Sequence, residues 1–174
     1  YASDLETGAT YARQARYMME FANRLVIADV YTASTRLPLT FRWSKEGDPT
    51  NWTDSTAGEA DILETGDVIT GLGRVGPNMV IFKSDSLHFY TRSGTSTAPY
   101  TKTGERRNIG NIAPYSIAQV LGTCVFIWRD DIYIINGDQA ESIGAQIRHK
   151  LFDMTESTEL TKAWGYYNFD EHEV

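Results

Sequence analysis

One cysteine stands in 174 residues, which rules out a disulfide framework within the chain. That residue, Cys124, lies in the apolar run Cys124-Val-Phe-Ile-Trp128 and reads as a small buried hydrophobe rather than a reactive thiol. The three histidines, His88, His149 and His172, are scattered and do not make the ligand spacing of a zinc site, so no metal is expected. Apolar runs stop at strand length, far short of the roughly 20 residues a membrane helix needs, so no membrane segment is expected. The opening residues YASDLETGAT lack the basic-then-apolar pattern of a signal peptide. Positive charge is also short: 16 Lys and Arg against 23 Asp and Glu give a net charge of −7. No direct grip on nucleic acid through its phosphates is therefore expected. The pair Arg106-Arg107 reads as a solvated turn.

Motifs that carry chemistry are missing as well. Gly71-Leu-Gly73 lacks the third glycine and following helix of a phosphate loop, so no cofactor is implied. Asp48, Asn51 and Asp54 are spaced by three rather than by the two of a calcium loop. Glycoside hydrolysis needs two carboxylates about 5 to 10 Å apart, yet nothing singles out a pair among Asp48, Asp54, Glu59, Asp61, Glu64, Asp67, Asp130 and Asp131. Most of these read as turn residues that bond the local backbone. No catalytic residue is assigned, and the chain is expected not to be an enzyme. Asn51-Trp-Thr53 fits a glycosylation acceptor, a pattern that also arises by chance.

What is present is a β pattern. Hydrophobic residues make up 41% and charged residues 22%, enough for one packed domain. Tyr, Phe, Trp, Val, Ile and Thr cluster in runs of five to eight residues separated by Gly, Asn, Asp and Ser. Met79 to Thr91 reads as a hairpin around a polar turn, Lys83-Ser-Asp-Ser86. Cys124 to Ile135 reads as a second hairpin, turning at Arg129-Asp-Asp131. Each is preceded by a short strand and a tight turn: Val68–Leu72 with Gly76-Pro-Asn78, and Ser116–Val120 with Gly122-Thr123. A third copy runs Ala15–Phe21, Ala22-Asn23, Arg24–Ala28, followed by a strand Leu39–Trp43. A helix over Ala12–Ala28 is the competing reading, since Ala, Arg, Met and Glu favour one. Val26, Val80 and Val125 mark equivalent positions in the three copies.

A repeat of about 40 to 50 residues of antiparallel strand is the size of one β-propeller blade. The expectation is an all-β propeller segment filling residues 1–174. Its blades fall at about 12–60, 61–112 and 113–160, with the start of another at 161–174, from Ala163-Trp-Gly-Tyr-Tyr-Asn-Phe169 into a turn at Asp170-Glu171. The missing initiator Met and the close at Asp170-Glu-His-Glu-Val174 read as a segment of a longer chain. A short helix is expected between Gly144 and Lys162, most readily from Lys150-Leu-Phe-Asp-Met154.

The stretch Arg42-Trp-Ser-Lys-Glu-Gly-Asp-Pro-Thr-Asn-Trp-Thr53 places two tryptophans around Gly47-Asp48-Pro49. Gly permits positive φ, Asp accepts local backbone bonds and Pro fixes φ, so the stretch reads as a turn pinned by two buried rings. The alternative is a ligand or interface loop, with Trp43 and Trp52 stacking on a sugar. The loop partly mimics the Asp box of sialidase-like propellers, with Ser44 and Trp52 present, Glu46 in the Asp place, Gly47 one position early and Trp52 one late.

The succession Asn23-Arg-Leu-Val-Ile27, Phe41-Arg-Trp-Ser44, Gly47-Asp-Pro-Thr-Asn-Trp52, Ala57-Gly58 and Asp61-Ile-Leu63 resembles a family of bacteriophage structural proteins. So does its continuation through Ile69-Thr-Gly-Leu72, Met79-Val-Ile-Phe-Lys83, Ile109-Gly110, Ala113-Pro-Tyr-Ser116 and Asp130-Asp-Ile-Tyr133. The resemblance covers roughly residues 12–174 and lies in the order of many short motifs. It implies a propeller-bearing virion protein of the tail or portal vertex, of the tail-hub or packaged-DNA stabilisation type. Such a protein acts through contacts with tail, adaptor or portal proteins and with copies of itself in an oligomeric ring. The alternatives are a carbohydrate-binding propeller that recognises a host receptor, and a sialidase-like hydrolase.

Overall fold

The structure, a computed structural model, describes residues 14–129, 131–153, 157–168 and 170. It is all-β, built from three four-stranded antiparallel sheets in which sequential strands lie side by side. The first sheet holds β1 (Gln14–Phe21), β2 (Arg24–Tyr31), β3 (Arg36–Trp43) and β4 (Gly58–Asp61). The second holds β5 (Ile69–Val75), β6 (Asn78–Lys83), β7 (Ser86–Arg92) and β8 (Tyr100–Arg107). The third holds β9 (Ala118–Val120), β10 (Thr123–Trp128), β11 (Asp131–Asn136) and β12 (Gln139–Ser142). Residues 14–28 form strands and a turn, not a helix, because alternate residues of β1 face solvent and sheet as a period of two requires.

The three sheets repeat one plan. In each, a two-residue turn joins the first strand to the second: Ala22-Asn23, Gly76-Pro77 and Leu121-Gly122. Ala22 and Asn23 have φ of 54° and 61°, and Leu121 and Gly122 have 43° and 87°. Positive φ at both central residues is the backbone whose twist suits a hairpin. Val26, Val80 and Val125 are each the third residue of the second strand, so the repeat marked in the sequence is a structural one.

Alternation along the second strands then decides the stacking. Val26 and Ala28 of the first sheet pack with Met79 and Ile81 of the second, joined by Phe41, Trp43 and Tyr90. Val80 and Phe82, on the opposite face of the second sheet, pack with Cys124 and Phe126 of the third. The Phe82 and Phe126 rings meet edge to face at 5.2 Å. Gly73 makes the second approach close: a Cβ there would lie 2.7 Å from Cys124 Sγ. The middle sheet is thus buried on both faces.

Within β2 and β3 the register shifts around Asp29, at φ 51°. Pro38 lies within the shift, where its missing N–H costs no ladder bond. The Asp29 carboxylate is buried and bonded twice by Arg36, at 2.7 Å each.

Several expectations need correction. Ser116 belongs to a 3-10 turn, Pro114–Ser116, and the strand after it starts only at Ala118; Pro114 has no N–H to give a ladder. Lys83 and Ser86 are buried strand residues rather than turn residues, and only Ser84 and Asp85 turn. Asp131 is already the first residue of β11, and Asp130 lies outside the described residues. The expected helix is α1 (Arg148–Asp153), beginning two residues before Lys150, and α2 (Ser157–Leu160) follows. Met154 lies outside the described residues. Residues 163–167 form no strand, and Asn168 makes one isolated bridge. Gly165 is held there by its N–H to Tyr115 O at 3.0 Å. Phe169 and Glu171 lie outside the described residues.

Candidate functional site

The loop from Ser44 to Ala57 joins β3 to β4, and its backbone closes on itself. Lys45 N–H donates to Asn51 O at 2.8 Å, and Gly47 N–H donates to Asn23 O at 2.8 Å. The Asp48 carboxylate accepts from the Thr50 N–H and hydroxyl, which with the Lys45 ammonium hold it below the usual carboxylate range. Arg24, 3% exposed, donates to Ser44 O and Thr56 O at 2.7 and 2.8 Å and to Ser96 O at 3.2 Å. One buried guanidinium thereby ties this loop to the β7–β8 loop of the next sheet.

The two tryptophans go to opposite sides of the first sheet. Trp43 packs between the first and second sheets, edge-on to Tyr100 at 5.5 Å, with Nε1 donating to Thr56 O at 3.2 Å. Trp52 covers the outer face, against Ile27 and Val30. Each is 8% exposed. A sugar needs an open ring face, and the two rings do not share one. The stretch is built as a turn, as the Gly-Asp-Pro reading expects.

The arrangement richest in chemistry lies elsewhere, where the connector 62–68 leads from the first sheet into the second. Lys83 is fully buried, and its ammonium donates to Ile62 O at 2.9 Å and Thr65 Oγ1 at 2.8 Å, with Asp67 Oδ1 at 3.3 Å. Asp67 also accepts from Asp85 N–H at 2.7 Å and from the Ser86 hydroxyl at 3.1 Å. Burial raises the Asp67 carboxyl, but the Thr65 hydroxyl, the Asp85 N–H and Lys83 bring it below its ordinary value. Ser86 Oγ lies 3.0 Å from His88 Nε2, and Glu105 Oε2 lies 3.8 Å from His88 Nδ1.

Serine, histidine and glutamate in that order imitate a nucleophile, a base and its orienting acid. The physical details oppose that reading. Ser86 is 1% exposed and His88 fully buried, so substrate cannot approach the hydroxyl while residues 65–67 are in place. Ser86 has one proton, and the Asp67 carboxylate accepts it more strongly than a neutral imidazole would. Burial, then the charges of Lys102 and Lys83, push His88 down to about 4, which makes it a poor base near neutrality. Glu105 is held at about 2 by the Lys102 and Arg107 side chains.

The connector 108–117, from the second sheet to the third, is held differently. Asn111 is buried, and its N–H donates to Lys83 O at 2.8 Å. Its side-chain oxygen accepts from Ala113 N–H at 3.0 Å and from the Ser116 hydroxyl at 3.4 Å. Ser116 Oγ in turn accepts from Ile127 N–H at 3.1 Å.

The remaining candidates are also occupied. Asp131 is buried and accepts from the Ser142 hydroxyl and from Ile132 N–H. Arg106 pairs with Asp138, and Arg107 with Glu105. Burial pushes the Cys124 thiol up to about 12, out of reach of thiolate chemistry. Among the described residues no cluster of His, Cys, Asp and Glu has the makings of a metal site, and no helix is long and apolar enough to cross a membrane. The open cavity of about 210 Å³ beside the first connector is lined by Glu64, Thr65, Asp67, Asp85, Arg107 and Asn108. The Lys83 network is hidden in the sequence because a lysine and a serine flanking Ser-Asp look like turn residues. The signal available was that Lys83 and Ser86 fall on the alternation of β6 and β7.

No protein-family model matches the chain, and no curated protein matches it.

Proposed function

We propose that this chain is a structural component of a bacteriophage virion, in the tail or the tail-to-capsid connection, and that it acts by protein–protein contacts rather than by catalysis. Its three sheets would be consecutive blades of a propeller-type array. The observation that carries the reading is that the buried charged and polar groups hold one sheet to the next. Arg24 clamps loops of two sheets, Lys83 fixes the first connector and Asn111 the second. A chain that commits its polar interior to rigid joints is suited to bearing load between partners. The resemblance in motif order supports the same reading, and the net charge of −7 suits a part that lies near packaged DNA without gripping it. Nothing in the placement of Trp43 and Trp52 favours the carbohydrate reading.

The test is quantitative mass spectrometry of purified phage particles encoded together with this sequence. The chain should be present in a fixed ratio to the portal protein. Its absence from intact particles, or turnover of an oligosaccharide by the purified chain, would overturn the proposal.

A further inference from the structure

Between Ile62 and Ile69, both buried, the first connector puts no side chain fully into the core. Leu63 is 65% exposed, Glu64, Gly66 and Val68 also face solvent, and Thr65 and Asp67 are half-buried. The hold of this segment on the second sheet is polar. Thr65 and Asp67 meet Lys83, Asp67 accepts from the Asp85 N–H and the Ser86 hydroxyl, Val68 O accepts from Ser84 N–H at 3.0 Å, and Glu64 accepts from Lys102 at 3.1 Å. A segment with so little apolar burial opens at a smaller cost than the strands around it.

Against Thr65 lie Ser86 and the fully buried His88. The Ser86 and Thr65 hydroxyls both give their protons to Asp67, so neither has one to offer His88 Nε2, at 3.0 and 3.4 Å. Nε2 therefore carries the imidazole proton and Nδ1 a lone pair. Nδ1 is buried and has no hydrogen-bond partner among the described residues. A second proton has that one place to go. Glu105 Oε2 faces it at 3.8 Å, but Lys102 at 2.7 Å and Arg107 already engage that carboxylate. The ring also feels the ammoniums of Lys83 from β6 and Lys102 from β8, opposed by Glu105 of β8 and Glu64 of the connector. Burial and the two lysines outweigh the two glutamates, so the closed site resists the proton.

We propose that residues 63–68 are an acid-released strap: a proton on His88 frees them from the second sheet while the three sheets stay folded. Opening takes Thr65 off Nε2 and brings water to the imidazolium, whose charge is costly to keep buried. Closed, His88 takes its second proton only near pH 4; open to water, it does so near its ordinary value of about 6.5. The strap is therefore fully held above about pH 6.5, and its opening constant grows about tenfold per pH unit below that. The carboxyls of Glu64, Asp67 and Glu105 are all lowered and stay ionised above pH 5. His88 is thus the group of this cluster that changes charge between pH 7 and pH 5. The device stands or falls without the virion reading.

The test is amide hydrogen exchange of the purified chain by NMR at pH 7, 6 and 5, corrected for the pH dependence of exchange itself. The Ser84 and Asp85 amides, bonded to Val68 O and to the Asp67 carboxylate, report the strap. The Asn111 amide, bonded to Lys83 O, reports the second connector. Protection at Ser84 and Asp85 should fall about twentyfold from pH 7 to pH 5, with Asn111 unchanged. In His88→Gln, whose side-chain amide still offers Ser86 a donor, that fall should vanish. Protection constant with pH, an equal fall at Asn111, or the same fall in a folded His88→Gln protein would each overturn the proposal. The wild-type comparison of Ser84 and Asp85 with Asn111 decides the matter even where the variant does not fold.

Discussion

Residues 62–68 carry the chain from the first sheet into the second around a buried ammonium, a carboxylate and an imidazole, whereas residues 108–117 carry it from the second into the third with amides and hydroxyls alone. Both connectors end on the same residue, since Lys83 gives its side chain to one and its carbonyl to the other. The difference shows what charge does at a joint. A neutral joint is worth its hydrogen bonds, each about 1 kcal/mol net. A charged joint is held by the penalty of breaking it, because removing one partner strands the other without water.

The comparison breaks most sharply at Lys83. Lys83→Ala should cost about 3–5 kcal/mol, as loss of one member of a buried pair does, read from the midpoint of urea unfolding. Lys83→Met combined with Asp67→Asn should recover much of that loss, and a double variant no better than the single would mean the two groups are not coupled. Acid comes next. The folded protein keeps His88 neutral down to about pH 4, while the unfolded chain protonates it near its ordinary value of about 6.5. Between those values only the unfolded chain binds the proton, so stability is full above pH 6.5 and falls by about 3 kcal/mol as pH drops to 4. His88→Gln should flatten that slope, measured by unfolding at pH 7, 6 and 5. Further loss below about pH 4 belongs to Asp67 and Glu105, whose lowered carboxyls contribute stability only while ionised. On the neutral side, Asn111→Ala should cost about 1–3 kcal/mol, equal at pH 7 and pH 5. A pH-dependent cost there would mean the two joints are not separable. Smallest is Ser116→Ala, about 1 kcal/mol, by the same measurement.

Much of this architecture is legible in the residues. Alternation in Gln14–Phe21 and the β-branched run after each tight turn place the strands, and the three equivalent valines place the repeat. The turn around Gly47-Asp48-Pro49 follows from backbone chemistry alone. The faces to which Trp43 and Trp52 go do not, because they depend on where β3 ends and the loop crosses the sheet edge. The Lys83 network is hidden for a related reason. Its partners lie 16 to 21 positions upstream, and a polar residue beside a turn looks the same whether water or another segment covers it.

Cys124 sits where Gly73 of the neighbouring sheet comes closest, with Sγ 3.4 Å from Arg74 O and no exposed surface. A thiol so placed reacts with an alkylating reagent only after those two sheets part. Its labelling rate is therefore a built-in clock for the opening of that seam, independent of the first seam, and needs no introduced probe.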